Sequence, residues 1–447
     1  MFSNLFNPLH FNPVALVATW VFGASISHQI KLGSAGPIVV GKSVSGTVQF
    51  FGGIHYAEAP VGNLRLREAR IKDYSLVSNF TNVVVDATDF GKACLQPGMP
   101  RETVSEDCLS LNIFRPSEVQ VGSNASLPVL LWIHGGGWVS GAGSRPGYDG
   151  TALVERSLVR NSPVIVITIN YRLGPLGFPQ GKEVDGRQDV LNLGLKDQLV
   201  ALEWVKRNIE TFGGDPSKVT VFGESAGGRS IELLILSGKL QGLARGAIIQ
   251  SAGRLPTHPA GAREAQWTSY VGAIPSCAEV FPKLDCLRSN TTSDELYDAL
   301  NRAGITSSSF DWAAVLDGPG GLLRDYPSQL DIPSEENIAI MYGDVLDEGK
   351  CLSLIDWSRR VQMIIFTGTM ATPQNINSSE EILSGMFNVL SPSPRGDDVL
   401  RRSLTKLLQL YPDDPSVGSP FDTGDETFGL NQEFKRYAAI CEYDLFK

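Results

Sequence analysis

Four short runs of large apolar and β-branched residues stand out early in the chain: Val129–Ile133 (VLLWI), Val164–Ile169 (VIVITI), Val219–Phe222 (VTVF) and Ala247–Gln250 (AIIQ). Runs that are apolar at every position, most of them bounded by Gly or Pro, predict strands covered on both faces. Between the second and third lies Asn192–Phe212, where Leu195, Leu199, Leu202, Val205, Ile209 and Phe212 recur at steps of three and four. That spacing puts one apolar stripe on a helix. Gly213-Gly214 supplies a C-cap, and Asp215-Pro216 is expected to start the next turn. Strands alternating with helical patterns through the first 250 residues predict an α/β fold, a parallel or mixed sheet wrapped by helices, expected as a central, mostly parallel twisted sheet flanked by helices. The stretch 254–330 is less regular and mostly helical, as expected of an insertion packed over the sheet. Ile338–Tyr342 is a further strand, and Phe434, Ala438, Cys441 and Leu445 sit at helical spacing near the end.

With 447 residues, 42% of them hydrophobic, the chain has material for one large core or two domains. A formal net charge of −10 without a basic patch argues against a nucleic-acid partner. The apolar run Val14–Ala24 has the length of a secretory h-region and is too short to span a bilayer, although no Lys or Arg precedes it. Residues 1–27 are therefore expected to be a signal peptide and 28–447 the domain. Four sequons, at Asn79, Asn124, Asn290 and Asn377, agree with a secretory route and are glycosylation candidates. Of six cysteines, Cys94/Cys108 and Cys277/Cys286 bracket short segments suited to local disulfides in an exported protein. Buried thiols in a cytosolic protein are the alternative, and Cys351 and Cys441 are left unpaired.

Two segments carry chemistry. VTVF runs directly into Gly223–Gly228 (GESAGG), and the apolar helical stretch Ser230–Leu236 follows. A strand, a turn with small residues on both sides of Ser225, and a helix are what a nucleophile elbow needs, because a tight turn lifts the hydroxyl above the sheet. VLLWI ends in His134-Gly135-Gly136-Gly137-Trp138. Backbone N–H groups approach a developing oxyanion only where no Cβ intervenes, so Gly136, Gly137 and the amide of Ala226 are the candidate donors. His134 opens that loop and reads as a structural hydrogen-bonder, while His55 and His258 read as surface or packing residues.

With these residues the chain resembles the carboxylesterase/lipase/cholinesterase (type-B carboxylesterase) family of α/β-hydrolases, and within it the secreted fungal carboxylesterases. Gly53–Gly62 (GIHYAEAPVG), Glu106–Pro116 (EDCLSLNIFRP), Asn170–Phe178 (NYRLGPLGF), Asn192–Gln198 (NLGLKDQ), Phe212–Pro216 (FGGDP) and Gln250-Ser251 extend the likeness from about residue 35 onward. The resemblance implies an extracellular serine hydrolase of carboxylic esters with no metal or other cofactor. It implies Ser225 as nucleophile, Glu348 in Asp347-Glu348-Gly349 as the acid, and Gly136, Gly137 and Ala226 as the oxyanion hole. It further implies Ser251 as a hydroxyl behind the acid and Cys94–Cys108 and Cys277–Cys286 as disulfides. The short Cys94–Cys108 loop, beside the long lid of the family's lipases, points to small or moderately sized esters.

The departure from the family's pattern is the base. Its histidine follows a last strand roughly a hundred residues beyond the acid, and a terminal helix closes the fold; here the last of five histidines is His258. The last strand, the histidine loop and that helix are expected to be missing, leaving an apolar face and a sheet edge uncovered. Three readings follow: an active esterase whose record is C-terminally incomplete, a catalytically dead relative acting as a binding protein, or an enzyme using His258 or Lys350 as substitute base. The oligomeric state is not legible.

Overall fold

The computed structural model describes residues 28–33, 36–72, 74, 83–119, 126–252, 257–306, 311–334, 337–345, 378–390, 396–418, 423–427 and 432–445. Strands β1 (His28–Lys31), β2 (Ile38–Ser45) and β3 (Val48–His55) form an antiparallel meander, with β4 (Val84–Asp86) alongside β2. β5 (Ala93–Cys94) and β6 (Val104–Ser105) pair separately, and β7 (Ser110–Pro116) returns against β3. Next come β8 (Leu127–Ile133), α1 (Thr151–Val159), β9 (Ile165–Ile169), the single turn α2 (Gly174–Gly177) and α3 (Leu193–Asn208). They are followed by β10 (Gly214–Glu224), α4 (Ala226–Leu236), β11 (Gly246–Gln250) and, after three further helices, β12 (Ala339–Gly343). The sheet order is β1-β2-β3-β7-β9-β8-β10-β11-β12.

The sheet is thus mixed. Its first half, to β9, is antiparallel along that path; β9, β8, β10, β11 and β12 run parallel. The pattern of apolar runs pointed to the parallel half, where β9 is buried at every position; β7 is equally buried but interrupts its apolar run with Asn112 and Arg115. Through residue 119 the described residues contain strands and single 3-10 turns instead of the expected strand–helix alternation. There β2 buries alternate positions only, and β3 breaks its register between Phe51 and Ile54 around Gly52-Gly53, which scrambles a two-residue period.

The first two parallel crossovers step in opposite directions across the sheet. β9 lies on one side of β8, and α3 then carries the chain past β8 to β10 on the other side. Such a reversal leaves a crevice outside the carboxyl ends of the two strands. α3 packs Leu195, Leu202 and Val205 into the main core, continues as the 3-10 turn Ile209–Phe212, and stops at Gly213, whose φ of 87° is left-handed. Asp215-Pro216 does not open a separate turn. It belongs to β10, inside an irregularity between Gly214, paired with Leu127, and Val219, paired with Val129. Local bonding explains the disguise: the Asp215 carboxylate accepts from the Ser217 N–H (2.9 Å) and hydroxyl (2.6 Å) as in a turn, while the flanking residues keep the ladder.

Helices α5 (Glu264–Gly272), α6 (Lys283–Ser289) and α7 (Ser293–Arg302) share an apolar cluster that includes Trp267, Tyr270, Leu287, Leu300 and Trp312. A buried ion pair anchors it: Arg65 meets Glu106 through Nε (2.6 Å) and Nη2 (2.8 Å) and also donates to the carbonyls of Leu287 and Thr291. Disulfides join Cys94 to Cys108 and Cys277 to Cys286. Helices Ser379–Leu390, Asp397–Leu410 and Glu433–Leu445 build a satellite cluster of Ile382, Met386, Leu404, Leu408, Tyr437 and Ile440. Ala438, one of the residues at helical spacing, is fully buried.

Candidate active site

The carboxyl ends of β8 and β10 lie side by side, with Ile133 opposite Gly223. β10 delivers the chain into Ser225, at φ 54° and ψ −125°, and α4 begins at the next residue. Left-handed backbone at a non-glycine residue costs about 1–3 kcal/mol and persists only when its surroundings over-determine it. Here the Ser225 N–H donates to the Gln250 carbonyl at the end of β11 (2.9 Å), and its own carbonyl accepts from the Arg229 N–H (2.8 Å). The glycines on either side are steric necessities. A Cβ on Gly227 would lie 2.0 Å from the Ile133 carbonyl oxygen, and one on Gly223 would lie 2.7 Å from the Gly227 carbonyl carbon.

β8 opens into the second turn. Gly136 and Gly137 have φ of 108° and 63°, and Trp138 follows at 57°. The Gly136 carbonyl accepts from the Val139 (3.1 Å) and Ser140 (3.0 Å) N–H groups, which folds the loop back on itself. A Cβ on Gly135 would touch Ser225 Cβ at 3.0 Å and the Glu224 carbonyl at 2.7 Å, so loop and elbow are in direct contact. Among the described residues the N–H groups of Gly136, Gly137 and Ala226 donate to no backbone carbonyl. The Ala226 amide also lies at the positive end of α4, where partial charge favours an anion. Gln96 clamps the far end of the loop, its amide giving and receiving 2.8 Å bonds with Gly141.

His134 is fully buried, stacks on the Tyr171 ring (centroids 4.4 Å apart) and places Nδ1 2.9 Å from the Gly135 carbonyl. Burial depresses its pKa to about 4, which keeps the imidazole neutral. The Tyr171 hydroxyl donates to the His134 carbonyl (2.8 Å), so this pair props the loop from below. Sequence reading assigned His134 a structural part and had no signal for Gln96. His55 pairs with Asp107 at the surface (3.0 Å). His258 is buried beyond β11, its carbonyl accepting from the Leu316 N–H (2.9 Å). Among the described residues no histidine donates to or accepts from the Ser225 hydroxyl.

Ser251 follows β11 at φ 48° and donates its N–H to the Gly343 carbonyl at the end of β12 (2.9 Å). Glu348 and Lys350 lie outside the described residues, as do Cys351, the sequons at Asn79, Asn124 and Asn377, and residues 1–27. Asn290 is exposed at the end of α6. No helix among the described residues is long and apolar enough to cross a membrane.

A mixed sheet with a strand–serine–helix elbow at its switch point, beside a glycine turn of open N–H groups, defines an α/β-hydrolase. Residues 29–408 match the carboxylesterase family, and the chain belongs to it. It is a carboxylic ester hydrolase by class. Lipase 2 of Geotrichum candidum is 32% identical over 92% of this chain and 74% of that protein. The secreted triacylglycerol lipase LIP1 of Gibberella zeae is 32% identical over 90% of this chain and 68% of its own length. Among solved structures, the Geobacillus stearothermophilus carboxylesterase EST55 superposes with a TM-score of 0.68 at 28% identity, covering 94% of this chain and 74% of that one.

Proposed function

We propose that this chain hydrolyses small or moderately sized carboxylic esters by two-step acyl transfer at Ser225. The observation that carries the reading is a serine held at φ 54° in direct contact with Gly135, in two turns whose Gly136, Gly137 and Ala226 N–H groups donate to no backbone carbonyl among the described residues. Ser225 attacks the ester carbonyl, the oxyanion rests in those amides, the alcohol departs, and water releases the acid from the acyl-enzyme. Glu348 orients the base. In the family's pattern that base is a histidine that follows a last strand, and within these residues the candidates are His258 and Lys350. His134 is unsuited, because its depressed pKa and its contact with the Gly135 carbonyl leave it a weak, misdirected acceptor.

The span of 14 residues closed by Cys94–Cys108 supports a small substrate over a lipid droplet. Two disulfides, the exposed sequon at Asn290 and the likeness to the secreted lipase of Gibberella zeae support an exported glycoprotein with a leader at 1–27. Residues 28–447 then form the hydrolase domain, with 254–330 as its helical insertion. The test is hydrolysis of p-nitrophenyl butyrate, with fluorophosphonate labelling located by mass spectrometry. Turnover lost in Ser225→Ala, with the label on Ser225, is the expected result. Hydrolysis unchanged in Ser225→Ala overturns the assignment.

A further inference from the structure

We propose that Ser230 is a positioning residue that locks the glycine loop onto the nucleophile elbow, so that the N–H groups of Gly136, Gly137 and Ala226 share one target. This rests on the reading of those amides as the oxyanion site. Ser230 lies one turn into α4, fully buried. Its hydroxyl is saturated. It donates to the Ala226 carbonyl (2.8 Å) and accepts from the Trp138 indole N–H (2.8 Å) and from Gln198 Nε2 on α3 (3.2 Å).

The direction of each bond is fixed by chemistry. An indole N–H only donates, so Ser230 Oγ must accept from Trp138, and its single proton is left for the carbonyl. A helix serine that merely bonds back to its own preceding turn needs no other element. Here two further elements converge on the hydroxyl, and both they and it are buried: Trp138 is 2% exposed, and Gln198 and Ser230 are 0% exposed. Trp138 is the residue immediately after the last loop glycine, in left-handed backbone, and its carbonyl accepts from the Gly174 N–H (2.7 Å). Ala226 contributes the third amide. Ser230 therefore links by hydrogen bonds the two segments that supply the donors, which also abut where Gly135 meets Ser225 and where Gly227 meets the Ile133 and His134 carbonyls.

Misplacing a reacting group by about 1 Å costs on the order of 10²-fold in rate, and losing a whole oxyanion donor costs about 10²–10³-fold. Loosening the bridge without deleting an amide is expected to lower kcat by about 10–100-fold and to leave KM within about twofold, since the ground-state carbonyl uses these amides little. The variants are Ser230→Ala, Trp138→Phe, which keeps the ring and removes the donor, and the pair combined. Two readouts apply: hydrogen exchange of the Val139, Ser140 and Gly174 amides, which report the loop without any turnover, and the kcat-against-KM split on p-nitrophenyl butyrate. Exchange at those amides at least about tenfold faster in either variant, no faster in the double variant than in the singles, supports the bridge. Unchanged exchange, additive effects, or a loss confined to KM overturns it. Should Ser230→Ala fail to fold, Trp138→Phe decides alone by the same criteria. A wild-type protein without ester turnover whose loop still loosens in the variants keeps the bridge and removes the esterase reading. Turnover with an indifferent loop does the reverse.

Discussion

Gly227→Ala is the sharpest test of the elbow, because one added carbon meets rigid backbone on three sides. Its Cβ would stand 2.0 Å from the Ile133 oxygen, 2.8 Å from the Ile133 carbon and 2.9 Å from the His134 oxygen. That is a full ångström inside the 3.0 Å limit that real Cβ contacts respect, and none of the three atoms is the end of a flexible side chain. Either α4 lifts or the end of β8 retreats. Overpacking of this kind costs about 1–3 kcal/mol, and a backbone obstacle puts the cost at the upper end. The same shift separates Ala226 from the glycine loop, for which a loss of about 10²-fold in kcat follows. Gly228→Ala provides the graded comparison. Its nearest contacts are 2.9 Å to the Gln250 oxygen and 3.0 Å to the Gly223 oxygen, so a few tenths of an ångström suffice, and a cost of about 1 kcal/mol is expected. Gly147→Ala meets nothing within 4 Å and should be neutral or stabilising by up to about 1 kcal/mol through the unfolded chain. Urea unfolding and p-nitrophenyl butyrate kinetics on all three variants give the order. A Gly227→Ala protein within about 0.5 kcal/mol of wild type and as active as Gly228→Ala would refute the close approach of helix and strand.

Three further outcomes follow from the same structure. Asp197 is fully buried and takes Arg172 through Nε (2.8 Å), Nη2 (2.7 Å) and the backbone N–H (3.0 Å), so Asp197→Asn should cost about 3–5 kcal/mol in urea unfolding by stranding a buried guanidinium. His134 titrates near 4 when folded and near 6.5 when unfolded, so its neutral burial contributes about 3 kcal/mol that is present above pH 6.5 and lost as pH falls towards 4. The urea midpoint should drop across that window in the wild type and lose part of that slope in His134→Gln. Replacing Cys94 and Cys108 together by alanine opens a loop of 14 residues and should lower stability by about 3 kcal/mol, measured against Cys277/Cys286 replaced in the same way.

What the sequence exposed and what it hid divide along a physical line. GESAGG and HGGGW were legible because each is bounded by an apolar strand run, and because tight backbone leaves a compositional mark: only glycine fits where Gly227 faces Ile133 or where Gly136 turns at φ 108°. The stripe from Leu195 to Phe212 was legible for the same local reason, its period being set by one helix. The amino-terminal meander was not, because β2 is half exposed and the register of β3 slips at Gly52-Gly53. Asp215-Pro216 misled in the opposite sense, since its side chain does bond as in a turn while the strand continues around it. Nothing local marks Ser230 either. Its partners Trp138 and Gln198 lie 92 and 32 residues away in sequence, and no spacing announces them.

That division follows from how a strained site is kept. Ser225 at φ 54° and the left-handed run Gly136–Trp138 are each unfavourable alone, and glycine relieves only two positions of the four. The remainder must be imposed from outside the turns. The Gln250 carbonyl fixes the Ser225 amide, Tyr171 and His134 support the loop, Gln96 holds its far end, and Ser230 ties loop to helix. The bonds from Tyr171, Gln96 and Ser230 are buried and their loss strands a partner, at about 1–3 kcal/mol each, so strain at the serine and order in its surroundings rise and fall together. A serine hydroxyl can be relocated by a single motif; amides aimed at one point cannot. The candidate groups are therefore readable from short segments of sequence, and their precision is stored in residues far from those segments.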